Sequence, residues 1–345
     1  METQDRISAL PDEILCHILS FLSTNDSFAT SLLCKRWQPL WLFLSIIDLD
    51  DQTFIQNGRS YTSFFKFAYG ILLRCHMQQP LTIARFHLTP HVCGYKMGKI
   101  VIQRGIEQLY IEIPRALEVP HIIWSCKTLV VLKLYRLSID VFMKVHLPAL
   151  KTLHLDFLFI SKSQYLAEVL HGCPNLEDFR AYHIFLDNKL EGIEFQTMPK
   201  LVKANLKLDY VFEFPLKVVS NVEHLIFFLK LKKENFPMFK NLIHLELHLG
   251  LNIQWHLVIK MLNHCPKLET VMLHMPTESY SCTSKRSEMQ FTKYIMQNSR
   301  ALQTMAIRNT IIGKNYSSSR QNKRQMLQEL VICPKSSTNC KLFFK

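Results

Sequence analysis

LKTLHL, residues 150–155, carries a pattern L-x-x-L-x-L that recurs with substitutions along most of the chain. Seven of the eight intervals between successive copies measure 20 to 26 residues, and the last measures 34. Periods of about 20–29 residues are typical of leucine-rich repeats, in which a short strand and a returning segment bury their apolar side only by stacking on neighbours. The spacing therefore predicts an α/β fold, a leucine-rich-repeat (β/α) solenoid over residues 101–284. The copies start at Ile106, Leu129, Leu150, Leu176, Leu201, Val222, Leu242, Leu268 and Leu302.

An antiparallel sandwich is the conventional alternative for many short strands. It needs a tight turn after each strand, and nine Gly and fourteen Pro in 345 residues are few for that purpose. The sequence instead repeats one longer turn, as CPNLE at residues 173–177 and as CPKLE at residues 265–269. These observations favour the solenoid.

The residues between the inward-facing leucines are expected to line an exposed strand face. Aromatic side chains mixed with charged ones are typical of recognition surfaces, although an ordinary solvated face is the competing interpretation for any single residue. The pattern predicts a target-binding face formed by Tyr110, Lys133, Tyr135, His154, Arg180, Tyr182, Lys203, Lys207, His244, Glu246 and His248.

Catalytic and metal motifs are sparse in this sequence. His244, Glu246 and His248 could act as ligands on one strand face, but the spacing places no fourth ligand beside them. No nucleophile elbow, P-loop or HExxH motif occurs, and the ten cysteines form no CxxC pair. We expect no enzyme, no metal site and no cofactor, and no residue constellation indicates a small-molecule ligand.

The segment LPDEILCHILSFL, residues 10–22, predicts an amphipathic helix. Pro11 suits a helix start, and Asp12 and Glu13 favour its positive end. The Ser23–Asp26 stretch offers N-caps for a second helix, which is predicted to pair Phe28 with Leu32 and to end at Lys35 and Arg36. About forty residues make a poor independent core, so this module should be stabilised partly by binding.

The stretch ISALPDEILCHILSFLSTNDSFATSLLCKRWQPLW, residues 7–41, closely resembles the F-box. This resemblance implies that residues 1–45 bind a Skp-type adaptor and, through it, a cullin–RING ubiquitin ligase. A helical cap of the next domain and a DNA-binding helix-turn-helix are the alternatives, the latter disfavoured because the module is acidic. Sequence alone does not separate adaptor contacts from internal packing among the matching positions, which are Leu10, Pro11, Ile14, Leu15, Ile18, Leu19, Leu22, Leu32, Leu33, Trp37 and Trp41.

Residues 46–100 are expected to join the two parts without a flexible linker, because no Gly/Ser-rich stretch occurs there. TSFFKFAYGILLRC (62–75) predicts a helix, and LTIARFHL (81–88) predicts the first strand. Residues 285–345 resemble the FBD region that follows leucine-rich repeats in many plant F-box proteins. The features that carry the resemblance are a helix ending at Asn298-Ser299-Arg300, a strand, and a Ser-Ser-Thr-x-Cys-x-Leu-x-Phe tail.

The net charge of +13 is unevenly distributed. Residues 1–50 contain seven acidic and three basic residues, a net charge of −4, so the rest of the chain carries +17. Such a balance favours an acidic partner. We expect a cytosolic or nuclear protein, since the N-terminus shows no leader pattern, no long apolar run occurs and the cysteines suit reduced thiols.

Together these features predict a target-recognition subunit of an SCF-type ubiquitin ligase. Two alternatives stay open: an interaction protein that binds the adaptor without delivering substrates, and a basic scaffold for nucleic acid.

Overall fold

The computed structural model divides the chain into two compact units, residues 1–176 with 183–193, and residues 177–182 with 194–345. No helix in the described part of either unit is long and apolar enough to cross a membrane. The residues that the structure describes are 6–7, 9–75, 81–88, 94–140, 144–186, 193–207, 214–229, 235–250, 255–275, 293, 302–309 and 341–344.

The N-terminal module begins with two short helices whose starts agree with the sequence. Helix α1 (Asp12–Leu19) follows Pro11, whose ψ of 153° is extended, so the helix starts one residue after the proline. Helix α2 (Thr24–Ala29) follows Ser23, whose Oγ accepts a hydrogen bond from the backbone N–H of Asp26 at 3.1 Å. This bond satisfies one of the amide donors that a helix start leaves unpaired.

The predicted end of the second helix is wrong. Helix α2 stops at Ala29, a single 3₁₀ turn (Thr30–Leu32) follows, and Arg36 lies outside any helix. The Arg36 guanidinium instead donates to the Asp12 carboxylate at 2.7 Å and to the Leu10 carbonyl, which ties it to the start of α1. The predicted Phe28–Leu32 pair does not form the core either: Phe28 packs edge-on against Trp41 at 5.1 Å, whereas Leu32 is 84% exposed.

The first unit contains five parallel strands, each hydrogen-bonded to the next one in the sequence. Parallel neighbours need a crossover of a dozen or more residues, which the repeat spacing supplies. The strands are β1 (Ile46–Asp50), β2 (Ile83–His87), β3 (Gln108–Glu118), β4 (Val131–Ile139) and β5 (Thr152–Ile160). The helices between and after them are α3 (Gln52–Gln56), α4 (Tyr61–Cys75), α5 (Gly94–Gln103) and α6 (Ser163–His171).

Two predictions for the connecting region have different outcomes. Helix α4 confirms the helix predicted over 62–75. Strand β2 confirms the strand predicted over 81–88, but it is not the first one, because β1 precedes it and pairs with it in parallel. The short stretch Ile46–Asp50 alternates buried and half-buried positions, and it follows directly on the helical module.

The second unit continues the same arrangement. Residues 178–182 of strand β6 (Asp178–Leu186) pair in parallel with the next strand, and every later strand pairs in parallel with its successor. Strand β11 confirms the strand predicted near the C-terminus, while residues 287–292 and 294–300 of the predicted helix lie outside the described residues. The remaining elements are β7 (Lys203–Lys207), β8 (His224–Leu229), β9 (His244–Leu249), α7 (Trp255–Asn263), β10 (Thr270–Met275), β11 (Thr304–Asn309) and β12 (Lys341–Phe344).

The repeated leucine positions form the core of each unit, as predicted. Every one of the nine starting positions is buried, and so are the two inner positions of each copy. Burying one Leu side chain contributes about 1.5–3 kcal/mol, so the repeat is the main source of stability in both units. The inner positions are Leu109, Ile111, Leu132, Leu134, Leu153, Leu155, Phe179, Ala181, Ala204, Leu206, Leu225, Phe227, Leu245, Leu247, Val271, Leu273, Met305 and Ile307.

Strands β4 and β5 each contain a left-handed residue. Arg136 has a φ of 59° and Phe157 has a φ of 52°, values that residues other than glycine rarely adopt. The buried positions therefore change from a spacing of two to a spacing of three, as from Leu155 to Leu158. A bulge of this kind keeps both the early and the late part of each strand facing the same core.

The two copies of the CPxLE turn are equivalent in the structure. Cys173 follows α6 and Cys265 follows α7, and each thiol donates to a carbonyl of the preceding helix, that of Val169 at 3.1 Å and that of Met261 at 3.2 Å. Burial raises the pKa of each thiol to about 12.

We predict that these two cysteines resist alkylation in the folded chain. A thiol with a pKa of about 12 forms almost no thiolate at pH 8, whereas Cys34 is exposed to reagent. Peptide mass spectrometry after iodoacetamide treatment should show Cys34 modified and Cys173 and Cys265 intact. Denaturant should make all three react. Modification of Cys173 as fast as Cys34 without denaturant would contradict the turn geometry.

We also predict that Leu153→Ala lowers the free energy of unfolding by about 2–5 kcal/mol, because it leaves a cavity at a fully buried position. Thr152→Ala, one residue earlier on the half-buried face, should change it by less than about 1 kcal/mol. Chemical denaturation followed by circular dichroism measures both values. Equal effects would contradict the difference in burial between the two faces of β5.

Candidate functional sites

The helical module has a small interior of its own. Leu15 and Leu19 on α1 are fully buried, together with Trp37 and Trp41 from the irregular segment that follows. The Oγ of the buried Ser27 donates to the Leu19 carbonyl at 3.0 Å and so fixes α2 against α1. These residues stabilise the module and are not available to a partner.

The eleven matching positions thus separate into two sets, a division that the sequence left open. Four are buried as described above, and Leu10 is half-buried. The remaining six expose their side chains, and we call them the apolar patch: Pro11, Ile14, Ile18, Leu22, Leu32 and Leu33. Phe21, 76% exposed, was missed; it lies in the turn after α1, where its backbone N–H donates to the Ile18 carbonyl at 3.2 Å.

Exposed apolar side chains concentrate in this module. Among the described residues, thirteen large hydrophobic side chains are exposed, and eight of them lie between Ile7 and Phe43. Within the patch, Leu32 is 84% exposed and Leu33 is 68% exposed. Large apolar side chains that are exposed together in one short module indicate an interaction site.

The first unit presents cations over aromatic rings on its strand face. The register places Tyr110, Lys133 and His154 side by side on β3, β4 and β5. The Lys133 ammonium lies 5.0 Å from the Tyr110 ring centroid, and the Arg85 guanidinium of β2 lies 5.4 Å from it. Predicted face residues of this unit are therefore neighbours, and all of them are half-buried.

A second group on the same unit contains one predicted residue, Tyr135, and three that the sequence analysis missed. The Tyr135 ring meets the Phe157 ring edge-on at 5.4 Å, and the Phe157 ring stacks on that of His183 at 4.2 Å. The Arg136 guanidinium lies 5.0 Å from the Tyr135 ring centroid. We call Tyr135, Arg136, Phe157 and His183 the aromatic column. The sequence feature that could have revealed this column is the spacing of three between leucines, Leu134 to Leu137 and Leu155 to Leu158, which indicates a bulge in each strand.

The second unit gathers most of the other predicted face residues. The Arg180 guanidinium lies 3.8 Å from the Tyr182 ring centroid, and the Lys207 ammonium lies 5.2 Å from the same ring. Lys203 pairs in register with His224, and His224 with His244, whose rings are 5.8 Å apart. Burial lowers the pKa of His244, and the neighbouring His224 lowers it further.

The trio of His244, Glu246 and His248, which the sequence analysis considered as metal ligands and did not predict to bind a metal, does not stay together in the structure. Glu246 and His248 do come together, but their third partner is His274 of β10, which pairs in register with His248. His244 contacts His224 instead. Oε1 of Glu246 lies 2.9 Å from Nε2 of His248 and 2.9 Å from Nε2 of His274. Spacing along one strand could not reveal a residue supplied by the neighbouring strand.

Comparisons with known proteins agree with the N-terminal assignment. The family model of the F-box domain matches residues 7–47, and the model of the FBD matches residues 266–307. The apolar patch lies entirely within the first match. The resemblance to the F-box and to the FBD is confirmed. The FBD match shares residues 285–307 with the predicted region 285–345, and the predicted domain bounds stay predictions.

The similar proteins come from Arabidopsis thaliana. An F-box/FBD/LRR-repeat protein is 26% identical over 99% of this chain and 100% of its own length. A putative FBD-associated F-box protein is 26% identical over 98% of this chain and 94% of its own length. An F-box/LRR-repeat protein reaches 31% identity over 65% of this chain and 61% of its own length. The likeness thus extends well beyond the two matched domains.

Proposed function

Because the chain carries an F-box domain and aligns along nearly its whole length with plant F-box/FBD/LRR-repeat proteins, we propose that it is the target-recognition subunit of an SCF-type cullin–RING ubiquitin ligase. The apolar patch docks on a Skp-type adaptor, and the strand faces hold a protein target. The observation that carries the proposal is the exposure of six apolar F-box positions on a module that has its own buried interior.

The apolar patch has the composition of a docking surface. Its members are aliphatic, and the ion pair between Arg36 and Asp12 borders them with a polar contact. A rim of charge around a desolvated apolar centre is the usual anatomy of a protein interface. The exposed surface is also costly in water, so binding the adaptor stabilises the module as well as recruiting it.

We further infer that the strands and their crossovers form a leucine-rich-repeat solenoid. The parallel pairing in sequence order within each unit and the burial of every repeat position support this. The strand face of the first unit displays Tyr110 and Lys133, and that of the second unit displays Arg180, Tyr182 and Lys207. Such cationic and aromatic side chains bind carboxylates and aromatic rings. We therefore propose a protein target with acidic side chains.

The action on the target is positional and non-catalytic. Tethering the target to the ligase raises the effective concentration of its lysines near the ubiquitin-loaded enzyme. No bond is made or broken by residues of this chain in the proposed mechanism. The protein would act wherever the ligase is assembled, which we propose to be the cytosol or the nucleus.

We predict that the Leu32→Ala/Leu33→Ala double variant weakens adaptor binding by at least about thirtyfold, the loss that removal of an interface hot spot produces. Both side chains are mostly exposed, so the free energy of unfolding should change by less than about 1 kcal/mol. Calorimetric titration with a plant Skp-type adaptor measures the first quantity, and denaturation measures the second.

Leu73→Ala is the matched control, since Leu73 is a leucine of α4 with 47% exposure outside the F-box. It should leave adaptor binding unchanged. Wild-type affinity in the double variant would remove the apolar patch from the interface and the adaptor-docking role with it.

A second prediction concerns the target. The Leu32→Ala/Leu33→Ala chain should still hold its target but should no longer deliver it, so the target accumulates on the variant in plant cells. Adding Lys133→Ala and Tyr135→Ala should release it, because both residues belong to the strand face of the first unit. Quantitative proteomics of the two purified variants measures the difference. If the wild-type chain binds the adaptor but no protein accumulates on the Leu32→Ala/Leu33→Ala variant, the chain is an interaction protein that delivers no substrate.

A further inference from the structure

Three potential metal ligands converge on the strand face of the second unit. Glu246 and His248 are two residues apart on β9, so their side chains project from the same face, and the register places His274 of β10 beside His248. One oxygen of Glu246 lies 2.9 Å from Nε2 of each histidine. The three donor atoms all lie within 4.8 Å of one another.

The geometry points to a binding site for a divalent metal ion of the zinc class at Glu246, His248 and His274. Two imidazole nitrogens and one carboxylate oxygen are a common donor set for zinc and its neighbours in the first transition series, and a poor one for magnesium or calcium. Zinc lies about 2.0–2.2 Å from such donors, so one ion can reach all three atoms with small side-chain adjustments. Three protein ligands leave one position of a tetrahedron open.

The two histidine rings lie face to face. They are parallel to within 5°, and their centroids are 4.2 Å apart. This stacking keeps both imidazoles beside Glu246, with the three donor atoms within 4.8 Å of one another.

Both histidines contact the same carboxylate oxygen. Nε2 of His248 and Nε2 of His274 each lie 2.9 Å from Oε1 of Glu246. An ion bound by the three side chains would replace these two contacts with bonds to the metal.

The charges around the cluster indicate what fills the open position. Lys207 and Arg308 are near enough for their positive charges to lower the pKa of His274. Glu246 supplies one negative charge, so a dication bound beside Lys207 and Arg308 would gain from an anionic fourth ligand. The site thus takes a metal ion together with an anion. Where the proposed function holds, an acidic side chain of the target can supply that anion, but metal binding itself does not depend on the target.

The test uses the full chain, stripped of metal with a chelator and titrated with Co²⁺ as a spectroscopic substitute for Zn²⁺. We expect saturable d–d absorption typical of a tetrahedral or five-coordinate nitrogen–oxygen site. Added Zn²⁺ should displace the Co²⁺. The dissociation constant for Co²⁺ should rise at least tenfold in His274→Ala and in Glu246→Gln. His244→Ala is the matched control, because His244 lies on the same strand and face but outside the cluster. It should bind as wild type.

Added acetate or phosphate should shift the Co²⁺ spectrum of the wild type, and Zn²⁺ should raise the melting temperature of the wild type but not that of Glu246→Gln. Equal Co²⁺ binding in the wild type, His274→Ala and Glu246→Gln would place the ion elsewhere and overturn the proposal. Absence of saturable binding would do the same, while leaving adaptor binding and the proposed ligase role untouched. An unchanged spectrum with either anion would overturn the anionic fourth ligand.

Discussion

Within each unit, the parallel pairing of a strand with the next one along the chain is the constraint on which the rest of the structure depends. Because pairing in parallel requires a crossover of a dozen or more residues, the chain returns to the same sheet only once per repeat. Matching register then aligns buried positions such as Leu132 with Leu153 and outward positions such as Lys133 with His154. The core and the strand face of each unit are two consequences of that single register.

The core could be predicted from the sequence because it depends on periodicity. A leucine every second residue within a strand and a repeat every 20 to 26 residues are visible without coordinates, and all the positions so identified are buried. Strand β1 was missed because it stands alone before the first copy of the pattern. The end of α2 was misjudged because basic residues favour a helix C-terminus, whereas the acidic start of α1 attracts Arg36 more strongly than the macrodipole of a six-residue helix.

The candidate sites were less predictable because they depend on contacts between segments. The F-box motif identified eleven positions, but only packing separates Leu19, buried at the end of α1, from Leu22, exposed three residues later. Likewise, His274 joins Glu246 and His248 from the next repeat, 26 residues further along the chain. A sequence motif shows which side chains are present, whereas the register between neighbouring strands determines which of them are in contact.

The bulges at Arg136 and Phe157 divide β4 and β5 into two chemically different stretches. Before the bulge the outward positions are Lys133 and His154; after it, Ser138 is paired with Phe159, which stacks on Phe185 at 4.9 Å. If the proposed target lies along these strands, its backbone passes the cationic positions before the apolar ones. A target with an acidic end and an apolar end would then fit in one direction better than in the other.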